Sequence, residues 1–235
     1  MNNFFDAFIS YGRADSLNFA TKLYERLTQE GLKVWFDQKD IPFGVDYQRQ
    51  IDEYGIEKAH NFLFIIAPHS VNSTYCRKEI ELAVKLKKRI IPLLHVEEIS
   101  EETWKERNPT GKTAAGDDWE AYKAKGKHKS DQPNMHLTIR KINWLRFREG
   151  IEDFEESFAN LMGVIQKQAD YVEQHTQFLL KALEWERHQK QTSYLLIGEE
   201  REKAESWLKI RFKDEQQPCF PTDLHCEFIT ESFRS

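Results

Sequence analysis

Cysteine is scarce in this sequence. Three thiols, Cys76, Cys219 and Cys226, are scattered through 235 residues. That is too few for a disulfide framework, and a reducing, cytoplasmic setting is the expectation. Cys219, His225 and Cys226 lie near one another, but no fourth ligand follows at a convincing spacing. Small buried thiols are therefore expected, and no metal site. Long apolar runs are missing too. None approaches the roughly 18 residues that cross a bilayer, so no membrane contact is expected. Met1-Asn2-Asn3 carries no basic residue and Asp6 interrupts the first apolar run, which is unlike a secretory leader. Positive charge is not in excess. A formal net charge of −5 argues against a nucleic-acid binder held by phosphate neutralisation. The local cluster Lys85, Lys87, Lys88 and Arg89 reads as a solvated helix end. No internal repeat is present, and "GRADS" lacks the glycine spacing and the lysine of a phosphate loop.

Apolar and aromatic residues are plentiful. Hydrophobic residues make up 40% of the chain and aromatics 13%, enough for a sizeable core. Along the first two-thirds, strand and helix patterns alternate. "FFDAFISY" (Phe4 to Tyr11), "LKVWF" (Leu32 to Phe36), "NFLFIIAP" (Asn61 to Pro68) and "RIIPLL" (Arg89 to Leu94) read as strands, and "KINWLRF" (Lys141 to Phe147) as a fifth. Between them, Ser16 to Glu30 has helical periodicity and stops at Gly31. Asp46 can cap a helix running to about Lys58, and another begins at "STYCRKEIELAV" (Ser73 to Val84). This alternation predicts a parallel sheet with helices on both faces. The polar stretch from about Glu97 to Met135 has little periodicity and reads as a long functional or mobile loop. From Glu152 the helical pattern continues to about His188, and short helices follow around "AESWL" and "PTDLHCEFI". Trp35 and Trp144 read as core residues within strands.

Chemistry in an open parallel sheet gathers outside the carboxyl ends of the strands. Tyr11-Gly12-Arg13, Asp37 to Gly44, His69 to Tyr75 and the 97–135 stretch are the segments expected there. Glu79 shares a helix face with Leu82, Ala83 and Leu86, a carboxylate along an apolar stripe close to that rim. On position alone the plain readings are structural: Glu79 as a partner of the helix dipole, Arg13 as one half of a surface ion pair, Tyr75 as a packing aromatic.

In this order and spacing, "DAFISYGRADS", "LKVWFDQKDIPFGVDYQRQI", "NFLFIIAPHSVNSTYCRKEIELAV" and "KRIIPLL" resemble the Toll/interleukin-1 receptor (TIR) domain, over roughly residues 3 to 165. The resemblance implies a flavodoxin-like α/β fold with five parallel strands, a TIR domain over 1–165 and a helical C-terminal extension or linker over 166–235. Bacterial members of the NAD+-cleaving class cut the nicotinamide–ribose bond with a glutamate that follows an "S-x-x-S-x-[W/Y]-C" stretch. The match here is Glu79, after Ser70, Ser73, Tyr75 and Cys76. A carboxylate that stays ionised near a helix N-terminus can stabilise the cationic, oxocarbenium-like ribose, and the departing nicotinamide needs no general acid. By position in the family, Tyr11, Gly12, Arg13, Asp37, Ile41, Pro42, Gly44, Ser70 and Tyr75 contact substrate. Tyr75 serves as a stacking platform, while Gly12 stands where a basic residue is common. NAD+ is then substrate and no cofactor is expected. The expected partners are other TIR domains, by homo-oligomerisation, and a fused or associated sensor module. The resemblance implies an NAD+ hydrolase in antiphage or stress defence; the alternative is a non-catalytic TIR scaffold. A phospho-acceptor receiver domain would need acids where Tyr11-Gly12-Arg13 stands.

Overall fold

A computed structural model describes residues 4–37, 44–131 and 133–234. Five parallel strands form one sheet: β1 (Phe5–Ser10), β2 (Val34–Trp35), β3 (Ala59–Ile66), β4 (Arg89–Leu94) and β5 (Leu145–Arg146). Their order is β2-β1-β3-β4-β5, the doubly wound order of flavodoxin-like folds. β3 is buried along its whole length, as a central parallel strand covered on both faces must be. Its register pairs Phe62 with Phe8 and Leu63 with Ile91.

Helices fill both faces. α1 (Arg13–Gln29) buries Phe19, Ala20, Leu23 and Leu27 against one face, where Ile9, Leu63 and Leu93 meet Phe158 and Leu161. Asp46 caps α2 (Tyr47–Arg49) by accepting from Arg49 N at 2.8 Å, and the coil then widens into π-helical turns over Gln50–Ile56. After β3 a short α3 (Pro68–Asn72) precedes α4 (Thr74–Lys85). Phe8, Trp35, Phe62, Ile80, Ala83 and Leu179 form the core on the second face.

Several expectations are corrected. The 97–135 stretch is folded: it carries α5 (Glu101–Arg107) and α6 (Trp119–Ala124) around a small aromatic cluster of Trp104, Trp119 and Tyr122. It closes where Ser130 N donates to Glu97 O at 2.8 Å. The fifth strand is only two residues long, because α7 (Leu137–Lys141) takes its expected start. Trp144 precedes that strand, part-buried, with Nε1 donating to Ile139 O at 2.8 Å. The helical run after Glu152 is two helices, α8 (Phe154–Gln166) and α9 (Ala169–Arg187), broken where Gln168 turns left-handed at φ 52°. Lys88 and Arg89 are buried, not solvated, and Cys226 is exposed.

Beyond α9, α10 (Gly198–Leu208) and α11 (Asp223–Arg234) build a further cluster around Trp185, Trp207 and Phe228. α9 belongs to both regions, since Leu179 and Leu183 pack on the sheet core while Phe178 and Trp185 face the cluster. Among the described residues no helix is long and apolar enough to cross a membrane.

Candidate functional site

At the carboxyl ends of β1 to β3 lies a cavity of about 180 Å³. It occupies the point between β1 and β3 where the strand order reverses, the usual ligand crevice of such sheets. Phe8, Ile9, Trp35 and Ile51 give it an apolar floor. Tyr11, Arg13, Asp37, Tyr47, His69 and Tyr75 wall it, and Glu79 lines it with them.

Local sequence explains each placement. Gly12 begins α1, and a Cβ there would lie 2.6 Å from His69 Nδ1 and 2.7 Å from Ser70 N. Only glycine lets the β1–α1 turn rest on the β3–α3 turn. Asp37 follows β2 and holds both neighbours: Tyr11 Oη donates to Oδ1 at 2.8 Å and Arg13 Nη2 to Oδ2 at 2.9 Å. The hydrogen bond to Asp37 is the main reason the Arg13 pKa lies above its ordinary value. Arg13 is thus engaged within the protein, as the plain ion-pair reading expects.

α4 is capped by Ser73, whose Oγ accepts from Cys76 N at 3.3 Å. Cys76, Ile80, Ala83 and Leu86 are buried on one side of it. Glu79 stands on the edge of that stripe, where the helix meets the cavity and not the packed core. This accounts for an acid on an apolar face. Its expected permanent ionisation is corrected. Burial pushes the Glu79 carboxyl up to about 8, Ser10 pulls it partly back, and the charges of Asp37 and Asp52 add to the rise. Glu79 is the sixth residue of α4, past the free N–H groups of the first turn, so the dipole does little for it. The buried Ser10 hydroxyl lies within reach of both the Glu79 carboxyl and the Cys76 thiol. The Cys76 thiol donates to Tyr11 O at 3.5 Å, and burial pushes it up to about 12, leaving an inert thiol.

Of the residues expected to touch substrate, Tyr11, Gly12, Arg13, Asp37, Tyr75 and Glu79 line this one cavity. Ser70 does not: it is buried, its hydroxyl donates to Ile65 O at 2.7 Å and accepts from Ala67 N at 3.1 Å, and it closes the start of α3. Gly44 sits in an exposed turn at φ 76° away from the lining. Ile41 and Pro42 lie outside the described residues. Tyr47 and Trp35 contribute without having been expected to, and His69 opens the segment expected at the rim without having been named as a substrate contact. Trp35 is core and cavity floor at once, and nothing local in the sequence marks Tyr47. Its phenol is raised by burial first, then by Asp37 and Glu79, which places those acids close by. Among the described residues no group of three or more His, Cys, Asp or Glu side chains is disposed to hold a metal ion.

A family model for the TIR domain matches residues 7–125. The chain is 26% identical over 99 residues to NAD(+) hydrolase TcpC from Escherichia coli O6:H1, covering 40% of this chain and 32% of that protein. It is 30% identical over 95 residues to 2' cyclic ADP-D-ribose synthase BtTIR from Bacteroides thetaiotaomicron, covering 39% and 33%. It therefore spans about a third of the length of these curated relatives. The TIR domain of the Toll-related receptor TRR-2 from Hydra magnipapillata, a solved structure, is 16% identical over 69% of this chain and 98% of that chain, with a TM-score of 0.45.

Proposed function

The chain belongs to the TIR domain family, and from that premise we propose that it is an NAD+ glycohydrolase, cleaving the nicotinamide–ribose bond with Glu79 as its catalytic carboxylate. The observation that carries the reading is Glu79 itself, a carboxylate lining an aromatic-walled cavity at the strand-order reversal, beside an Asp37 already paired with Arg13. Two curated relatives named for NAD+ cleavage and for cyclic ADP-ribose synthesis support the same class of reaction.

The cavity suits one end of a dinucleotide. Sites for drug-sized ligands run to about 300–1,000 Å³, so about 180 Å³ accommodates nicotinamide and its ribose, with the remainder lying across the rim. Burial disfavours the ionised form of Glu79. Entry of a pyridinium cation supplies the opposite charge that makes ionisation favourable. As the C–N bond breaks, its electron pair leaves with nicotinamide, which departs neutral and needs no proton. The positive charge left on the ribose is stabilised by the Glu79 carboxylate. Water then adds to the anomeric carbon and gives up a proton, yielding ADP-ribose; attack by a hydroxyl of the same molecule yields a cyclic isomer. Tyr75, 65% exposed at the rim, offers a ring face to the substrate. Tyr11, Arg13 and Asp37 form a polar gate that opens or re-pairs when substrate enters.

We place the reaction in the cytoplasm, in antiphage or stress-defence signalling, with activity switched on by self-association. Residues 166–235 are proposed as a helical extension that couples the TIR domain to a sensor. The test is to incubate concentrated protein with NAD+ and chromatograph the products beside the Glu79→Gln variant. Nicotinamide from the wild type and none from the variant is expected. Intact NAD+ at the highest attainable concentration overturns the assignment and leaves a non-catalytic scaffold.

A further inference from the structure

The segment between β4 and β5 reaches the cavity wall without lining the cavity. Arg107, the last residue of α5, donates from Nη1 to Asp15 Oδ1 at 2.5 Å and from Nη2 to the Ala14 carbonyl at 2.9 Å. The Asp15 side chain is only 1% exposed, and its second oxygen accepts from the His69 N–H at 2.7 Å. His69 is the second residue of α3, whose N-cap Ala67 offers no side-chain acceptor. Its N–H is one of the orphan donors of a helix start, and a carboxylate from another helix satisfies it. The same segment grips the other end of α3, where Asn72 Nδ2 donates to Lys127 O at 3.1 Å and Asn134 Nδ2 to Asn72 Oδ1 at 2.5 Å. His69 in turn lies against Gly12 in the cavity wall.

We infer that Arg107 and Asp15 are positioning residues of the cavity: through the His69 amide they fix the β3–α3 turn that walls it, so the 97–135 segment governs how firmly substrate is captured. The pair is suited to this. Both oxygens of a buried carboxylate are engaged by directional, charge-assisted bonds, and removing Arg107 would leave that charge unpaired in a dry place. Glu79 is held separately, by α4 and its Ser73 cap, so loss of Arg107 should slacken the wall without disarming the acid.

The kinetic arm of the test rests on the NAD+-cleaving reading; the structural arm does not. Backbone amide exchange at His69, followed by NMR, should quicken about tenfold in Arg107→Ala while the amides of β3 and β4 stay protected. KM for NAD+ should rise about tenfold, a misplacement effect, with kcat and its pH profile near those of the wild type. Arg107→Lys should recover part of both. Asp15→Asn, which keeps an acceptor for His69 but loses the charge pair, should fall between wild type and Asp15→Ala, and it serves as the test variant if Arg107→Ala does not fold. Unchanged His69 exchange in a folded variant overturns the inference. So does faster exchange with an unchanged KM, which would make the pair purely structural. If the wild type cleaves no NAD+, the enzymatic reading fails and the exchange result alone decides this one.

Discussion

If Glu79 is the catalytic carboxylate proposed above, it ties activity to stability, and the sign of that link can be measured. Its ordinary value of 4.5 rises to about 8 in the fold, with burial the largest cause. Between these values the unfolded chain gives up a proton that the native state keeps, so native stability falls as pH rises through this window and levels off above it. Glu79→Gln removes the ionisable group. The variant should melt with the wild type near pH 4.5 and above it at pH 9, by roughly 1–3 kcal/mol once partial exposure is allowed for. Melting curves at the two pH values check this, and a variant less stable at pH 9 would contradict it. Activity runs the other way. If the carboxylate is the working form, kcat/KM should climb with pH up to about 8, and Glu79→Gln should lose at least about 100-fold. A flat profile from pH 6 to 9 would remove Glu79 from the chemistry. Tyr75 belongs to the same scale. A tyrosine 65% exposed beside the cavity does little for the core, and a planar ring stacked on it would gain about 0.5–1.5 kcal/mol beyond burial. Tyr75→Ala should therefore cost about tenfold in NAD+ use, with Tyr75→Phe and Tyr75→Trp close to wild type. Equal behaviour of all three would make it a packing residue.

At the scale of elements, the site depends on two turns lying in contact. Gly12→Ala would drive a Cβ to 2.6 Å from His69 Nδ1 and 2.7 Å from Ser70 N. Backbone on one side cannot yield as a flexible side chain could, so an overpacking cost of about 1–3 kcal/mol is expected, with weakened NAD+ use because His69 moves with the turn. Thermal melts and initial rates of the variant check both, and an alanine accommodated with neither loss would show that the turns are looser than they look. The same contact explains what the sequence could and could not disclose. β1, β3 and β4 were legible because strands buried on both faces leave near-continuous apolar runs. α1 begins at Arg13, earlier than Ser16, because Gly12 caps it with no side-chain hydrogen bond to betray the start. The break at Gln168 was invisible because the apolar spacing of α8 resumes in α9, and a left-handed glutamine carries no glycine-like signal. Tyr11, Arg13 and Asp37 could be placed at the rim because each closely follows a strand, and Glu79 because it is an acid on an apolar helix stripe near that rim. Tyr47 comes from a segment whose approach to the rim is decided by tertiary packing, and Ser70 misled because a hydroxyl at a helix start serves backbone groups as readily as a ligand.

Across the whole molecule, the C-terminal helices and the cavity occupy opposite ends of the sheet. Lys88 Nζ donates to the carbonyls of Glu57 and Ala59, each at 2.8 Å, and to Thr176 Oγ1 of α9 at 3.2 Å; Arg89, at the start of β4, donates to Ile165 O at 2.8 Å and Lys167 O at 2.6 Å. These buried bonds clasp α8 and α9 to the amino ends of the strands, away from the carboxyl rim. Tyr47 and Tyr75, both lining the cavity, are also exposed. The resting cavity is also too small for a whole dinucleotide, its acid favours the neutral form, and Arg13 is paired with Asp37. A neighbouring copy covering the rim would enlarge the site and dry it, strengthening every charge interaction inside. Specific activity should then rise with protein concentration, because a contact between copies is populated by mass action. Tyr47→Asp would set a charge in that contact and should weaken association and turnover together. Turnover per mole, measured over about a hundredfold concentration range with light scattering alongside, tests this directly. Constant specific activity from a species that stays monomeric throughout would mean that one chain completes the site, and the exposed aromatics would then be left to the substrate alone.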